Sequence, residues 1–128
     1  MPALLIADDA PTVRQLLRAV LLAPGRELLE AADGDEAFCL IMERRPRVAI
    51  LDLSMPKKTG LEVCRAVRAV PLLAGTVLII LTANGNPEDV RAAQEAGADF
   101  FVTKPFSPSR LLEVVALAEA EAARTTLS

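Results

Sequence analysis

The stretch "VAILDLSMPKKTG", residues 48–60, decides the fold. Its first half is continuously apolar until Asp52 and too short for a helix, so it reads as a buried strand. Its second half is a loop with a Pro and a Gly, and a helix follows over about 61–70. Outward from it the same alternation recurs. "ALLIA" (3–7), "RELLEA" (26–31), "TVLIILTA" (76–83) and "ADFFVTK" (98–104) read as strands, the second more polar and suited to a sheet edge. Between them lie segments of helical period. In "PTVRQLLRAVLLA" (11–23), Val13, Leu16, Leu17, Val20 and Leu21 fall on one stripe and Pro11 suits the first turn. "DGDEAFCLIMERR" (33–45) is opened by acids and ended by Pro46, and "NGNPEDVRAAQEAG" holds a helix closed by Gly97. The last helix spans 107–123, with Ser107 as N-cap and Pro108 after it. Alternation of βα units means an α/β fold, a doubly wound parallel sheet of five strands with helices on both faces. Ligands in such sheets sit at the carboxyl ends of the strands.

The 128 residues suit one domain over 1–123, with 124–128 as a polar C-terminal tail. Half of the chain (52%) is hydrophobic, but with four Phe and no Trp or Tyr the core must be aliphatic. A net charge of −3 without a dense basic run argues against a nucleic-acid-binding face. The absence of His excludes Ser-His-Asp and Cys-His nucleophile systems and any His metal ligand. Cys39 and Cys64 form no CxxC and read as small buried hydrophobes in a reducing compartment. No signal peptide or membrane span is visible, so a cytoplasmic location is expected.

The residues just past the strands carry the chemistry. Strand 1 ends in Asp8 and Asp9, strand 3 in Asp52, strand 4 in Thr82 followed by Ala83, and strand 5 in Lys104 followed by Pro105. Singly each has an ordinary reading: a capped turn, a loop acid, a strand residue, a solvated lysine. Together they bring three carboxylates, a hydroxyl and an ammonium to one rim. Three clustered carboxylates call for a cation, and oxygen-only ligands select a hard one such as Mg²⁺ or Mn²⁺. A carboxylate held beside a cation and a lysine is also a nucleophile toward phosphorus, giving an aspartyl phosphate.

These residues resemble the receiver domain of two-component response regulators. The likeness runs from "LLIADD" through "LDLSMPKKTGLEV" and "ILTANG" to "AGADFFVTKPF". It implies a flavodoxin-like sheet with strand order 2-1-3-4-5. It also implies Asp52 as phosphoacceptor, Asp9 as direct Mg²⁺ ligand, Asp8 as holder of metal-bound water, and the Ser54 backbone carbonyl completing the metal set. Lys104 matches the phosphate-binding lysine, the Lys104–Pro105 bond the family's cis peptide, and Thr82 and Phe101 the two switch positions. Ala83, Asn84 and Ser54 would flank the phosphoryl group. Phe101 lacks the hydroxyl of the Tyr often found there. Thr59 replaces a common Asp outside the metal set, with little effect expected. Lys57 and Lys58 read as a solvated loop.

The resemblance implies a phosphorylation-activated signalling switch rather than a metabolic enzyme. Its phosphodonor would be a sensor histidine kinase, a phosphotransfer protein or acetyl phosphate. Its output would be an altered protein contact through the helix 4–strand 5–helix 5 face, with no direct nucleic-acid or membrane partner. Two alternatives stand beside it. One is an aspartate phosphatase of the haloacid dehalogenase type, which would need an acid where Ser54 stands. The other is a degenerate receiver that binds partners without phosphorylation. No effector region is recognisable in the sequence, so a stand-alone receiver and a piece of a longer regulator or hybrid kinase both remain open.

Overall fold

The computed structural model describes residues 3–83 and 85–127, with side chains described to residue 124. Five strands alternate with five helices: β1 (Ala3–Ala7), α1 (Pro11–Leu21), β2 (Glu27–Ala31), α2 (Gly34–Arg44), β3 (Val48–Asp52), α3 (Gly60–Arg68), β4 (Val77–Thr82), α4 (Pro87–Ala96), β5 (Phe100–Thr103) and α5 (Pro108–Leu127). A short 3₁₀ turn, Pro71–Leu73, precedes β4. The strands form one parallel sheet in the order β2-β1-β3-β4-β5, with β2 at an edge as its polar sequence suggests.

The sheet divides the core in two, and side-chain alternation decides which residue goes where. Leu4, Ile6, Val48, Ile50, Val77, Ile79, Leu81 and Val102 meet Leu17 and Leu21 of α1 and Leu111, Val114, Val115 and Ala118 of α5. Leu5, Ala7, Ala49, Leu51, Leu78 and Ile80 face the other way, onto Ile41 of α2, Val63, Cys64 and Val67 of α3, and Ala93 and Ala96 of α4. Phe100 joins the first cluster and Phe101 the second, so adjacent aromatics serve opposite faces.

Local signals set the helix ends. Asp33 caps α2 by accepting the Glu36 N–H at 2.8 Å, and Asn86 caps α4 by accepting the Asp89 N–H at 2.8 Å. Thr59 and Glu62 form a reciprocal capping box on α3. Gly97 ends α4 in the left-handed region at φ 100°. At Gly60 the demand is closeness rather than dihedral freedom: a Cβ there would lie 2.5 Å from the Asp52 carbonyl oxygen.

Several expectations need correction. Cys39 is exposed on α2, and only Cys64 is buried. Leu16 is 49% exposed, because the buried stripe of α1 narrows to Leu17 and Leu21. The last helix does not stop at residue 123 but runs on to Leu127. Lys57 and Lys58 stand on a solvent-facing loop as expected, with their ammonium groups 3.5 Å from Asp33 and 2.8 Å from Asp35 at the start of α2.

Candidate functional site

Period-two alternation assembles the site. Asp8 continues the series Leu4, Ile6; Asp52 continues Val48, Ile50; Lys104 continues Phe100, Val102. All three therefore emerge on the α1/α5 side of the sheet at its carboxyl rim. The backbone ladder extends one residue past the strands to hold them. The Asp8 N–H donates to the Ala31 carbonyl at 3.1 Å, the Leu53 N–H to the Leu81 carbonyl at 2.8 Å, and the Lys104 N–H to the Thr82 carbonyl at 2.7 Å. Gly60 closes behind Asp52, its N–H donating to the Leu53 carbonyl at 3.0 Å.

Lys104 Nζ donates to Asp8 Oδ2 at 3.0 Å and to Asp52 Oδ1 at 2.9 Å, joining residues 96 and 52 positions away. Asp8 and Asp52 are buried, at 1% and 6% exposure, whereas Asp9 opens to solvent. The second Asp8 oxygen, Oδ1, accepts the Ala10 N–H at 2.9 Å. Burial pushes the Asp52 carboxyl above its usual range. The Lys104 hydrogen bond opposes that shift, and the charges of Asp8 and Asp9 reinforce it. Burial alone would lower the Lys104 ammonium, but its hydrogen bonds to Asp52 and Asp8 carry it above its usual value. By contrast Cys64, buried among aliphatics, is pushed up to about 12 and is chemically quiet.

One carboxylate oxygen from each of Asp8, Asp9 and Asp52 lies within 4.8 Å of the others. This all-oxygen donor set, in a chain without His, fits a hard divalent cation. Thr82 is buried at the end of β4, at 2% exposure. It lies on the opposite parity to the triad, with Ile80, and Ile80 pairs with Phe101 in the β4–β5 register. Thr82 and Phe101 are thus diagonal neighbours on the α4 side of the sheet. Phe101 is half-buried and lines a groove of about 210 Å³ together with Val90, Ala93, Ala98, Arg110 and Val114.

The Lys104–Pro105 peptide is cis. Ser54 and Ala83 are exposed beside Asp52 and Thr82 in sequence, and Asn84 lies outside the described residues. One contact at the site escaped the sequence reading: Arg14 Nη1 donates to the Asp8 carbonyl oxygen at 2.6 Å. No spacing rule announces it, because the acceptor is main chain.

Residues 4–116 match the family model of the response regulator receiver domain. The chain is 37% identical over 109 residues to the DNA-binding response regulator MtrA of Mycolicibacterium smegmatis, covering 85% of this chain and 46% of that protein. It is 35% identical over 109 residues to the phosphate regulon transcriptional regulatory protein PhoB of Pseudomonas aeruginosa, covering 85% of this chain and 48% of that protein. The chain therefore spans about half the length of these curated relatives. Among solved structures, chemotaxis protein CheY4 of Vibrio cholerae superposes with a TM-score of 0.85 at 34% identity, covering 92% of this chain and 98% of that one. A CheY-like response regulator receiver domain protein from Methanospirillum hungatei gives 0.87 at 26% identity, covering 98% of each chain.

Proposed function

Because the chain belongs to the response regulator receiver family, we propose that its two-component switch is thrown by phosphorylation of Asp52. The observation that carries this reading is the Lys104 ammonium bridging Asp8 and Asp52 at 3.0 and 2.9 Å. An ammonium shared between two strand-end carboxylates is placed where it can neutralise the charge of an entering phosphoryl group.

Asp8, Asp9, Asp52 and the Ser54 carbonyl would hold Mg²⁺ or Mn²⁺. When bound, the ion would neutralise charge on the entering phosphoryl group. The chain's own residues do the rest. An Asp52 carboxylate oxygen attacks phosphorus, and the bond from phosphorus to the donor breaks with its electron pair leaving on the donor. Lys104 turns from the carboxylates toward the new phosphoryl oxygens. Thr82 donates its hydroxyl to them, with Ala83 flanking.

The switch reading rests on the shared face of Thr82 and Phe101. Movement of Thr82 toward the phosphoryl group vacates space beside Ile80, into which Phe101 turns. That alters the surface between α4, β5 and α5, the proposed contact for a downstream protein. The phosphodonor would be a sensor histidine kinase or a phosphotransfer protein. The relatives named as a DNA-binding response regulator and a transcriptional regulatory protein carry about as much chain again, and any DNA-linked output here would pass through such a region. Among the described residues no helix is long and apolar enough to cross a membrane, and the proposed setting is cytoplasmic.

Incubation with acetyl phosphate and Mg²⁺, read by intact mass, tests the assignment. We expect one added phosphoryl group on the wild type and none on Asp52→Ala. Equal labelling of both would overturn it.

A further inference from the structure

Asp9, the exposed member of the acid pair, is held less directly than its neighbour. Asp8 is anchored at both ends. Its N–H donates to the Ala31 carbonyl at 3.1 Å, and its carboxylate takes the Ala10 N–H at 2.9 Å and Lys104 Nζ at 3.0 Å. Asp9 lies beyond these anchors. The peptide plane that leads into it has the Asp8 carbonyl oxygen at one side and the Asp9 nitrogen at the other, and such a plane is rigid. Arg14 Nη1 donates to that oxygen at 2.6 Å. Holding the oxygen restrains the plane, and with it the position of the Asp9 Cα from which the side chain reaches toward Asp52.

Arg14 is itself held. It is 19% exposed and its Nε lies 3.5 Å from Glu30 Oε1 on the edge strand β2. The other Glu30 oxygen takes Arg18 Nη1 at 3.1 Å. Glu30 thus steadies a guanidinium one turn into α1 and offsets a positive charge that would oppose a cation beside it.

The geometry points to Arg14 as a positioning residue for the metal-binding acids, acting through the Asp8–Asp9 peptide and braced by Glu30. It touches neither the metal nor the phosphoryl group. The inference rests on the proposed cation site at Asp8, Asp9 and Asp52.

The sign of one measurement separates this role from simple charge. If Arg14 acted only as a nearby cation, its removal would tighten Mg²⁺ binding. If it positions Asp9, its removal weakens binding, and loss of such an outer partner costs on the order of tenfold. Calorimetric Mg²⁺ titration of the purified chain is the readout, with thermal melts run alongside. We expect Arg14→Ala to weaken Mg²⁺ binding about tenfold, and Arg14→Lys to recover part of the loss. Glu30→Gln should weaken binding less and add nothing when combined with Arg14→Ala. Phosphorylation at saturating Mg²⁺ should stay near the wild-type rate while the half-saturating Mg²⁺ concentration rises. Mg²⁺ binding by Arg14→Ala as tight as wild type or tighter overturns the inference, as does full additivity with Glu30→Gln. If Arg14→Ala fails to fold, unchanged affinity in both Arg14→Lys and Glu30→Gln overturns it. A wild-type chain that binds no Mg²⁺ overturns the underlying metal reading instead, and Arg14's role with it.

Discussion

Asp52 sits in folded protein with its carboxyl pushed above the usual range, chiefly by burial. A group of that kind binds its proton more tightly folded than unfolded. Between its ordinary value of 3.8 and its raised folded value it therefore subtracts stability as pH rises. Asp52→Asn should raise the melting temperature of the metal-free protein at neutral pH, each kcal/mol being worth about 3–6 °C in a chain of this size. If Asp52 is a ligand of the proposed metal site, saturating Mg²⁺ should reverse the order; an unchanged order would count against that assignment. Removing the cation has the opposite sign. Lys104→Met leaves two buried carboxylates without their ammonium and should cost about 1–3 kcal/mol without metal. Denaturant titration with and without Mg²⁺ checks this, with Mg²⁺ recovering more of the loss than it adds to wild type.

At the scale of elements, the loop from Asp52 to Gly60 is fixed at both ends. Thr59 and Glu62 cap α3 reciprocally, and Lys57 and Lys58 reach Asp33 and Asp35. Thr59→Ala should destabilise by about 1 kcal/mol, measured by urea unfolding, and leave phosphorylation at saturating Mg²⁺ unchanged. Gly60→Ala should do more, since its Cβ would lie 2.5 Å from the Asp52 carbonyl oxygen. The loss should appear in phosphorylation rate as well as in stability. The strands and their terminal acids were legible because period and burial agree along each apolar run. The Thr59-x-x-Glu62 cap was not read from the sequence, although its spacing is that of a capping box. The Arg14 bond to the Asp8 carbonyl was not legible, because sequence patterns report side chains and this acceptor is main chain. Leu16 and Cys39 misled for a related reason. A stripe shows which way a helix leans, not how wide an arc its neighbours cover, and α1 buries only Leu17 and Leu21 fully.

Over the whole molecule the sheet separates two aliphatic half-cores. Leu17→Ala on the α1/α5 side and Val63→Ala on the α2–α4 side should each be strongly destabilising, about 2–5 kcal/mol for the leucine. Their effects should add to within about 0.5 kcal/mol, because no shared partner couples them. Chemical denaturation of the single and double variants measures this. A larger coupling energy would mean the sheet deforms as one body with both layers.

The same partition extends to the rim. Asp8, Asp52 and Lys104 follow the parity that faces α1 and α5, while Thr82 and Phe101 follow the parity that faces α4. In evolutionary terms this gives the two halves of the site largely separate packing, joined at α5. On the proposed switch reading, substitutions around α1 would act on the layer behind Asp8, Asp52 and Lys104, and substitutions around α4 on the layer behind Thr82 and Phe101, with α5 touching both. A lineage built on this sheet could then vary the packing of one layer while holding that of the other.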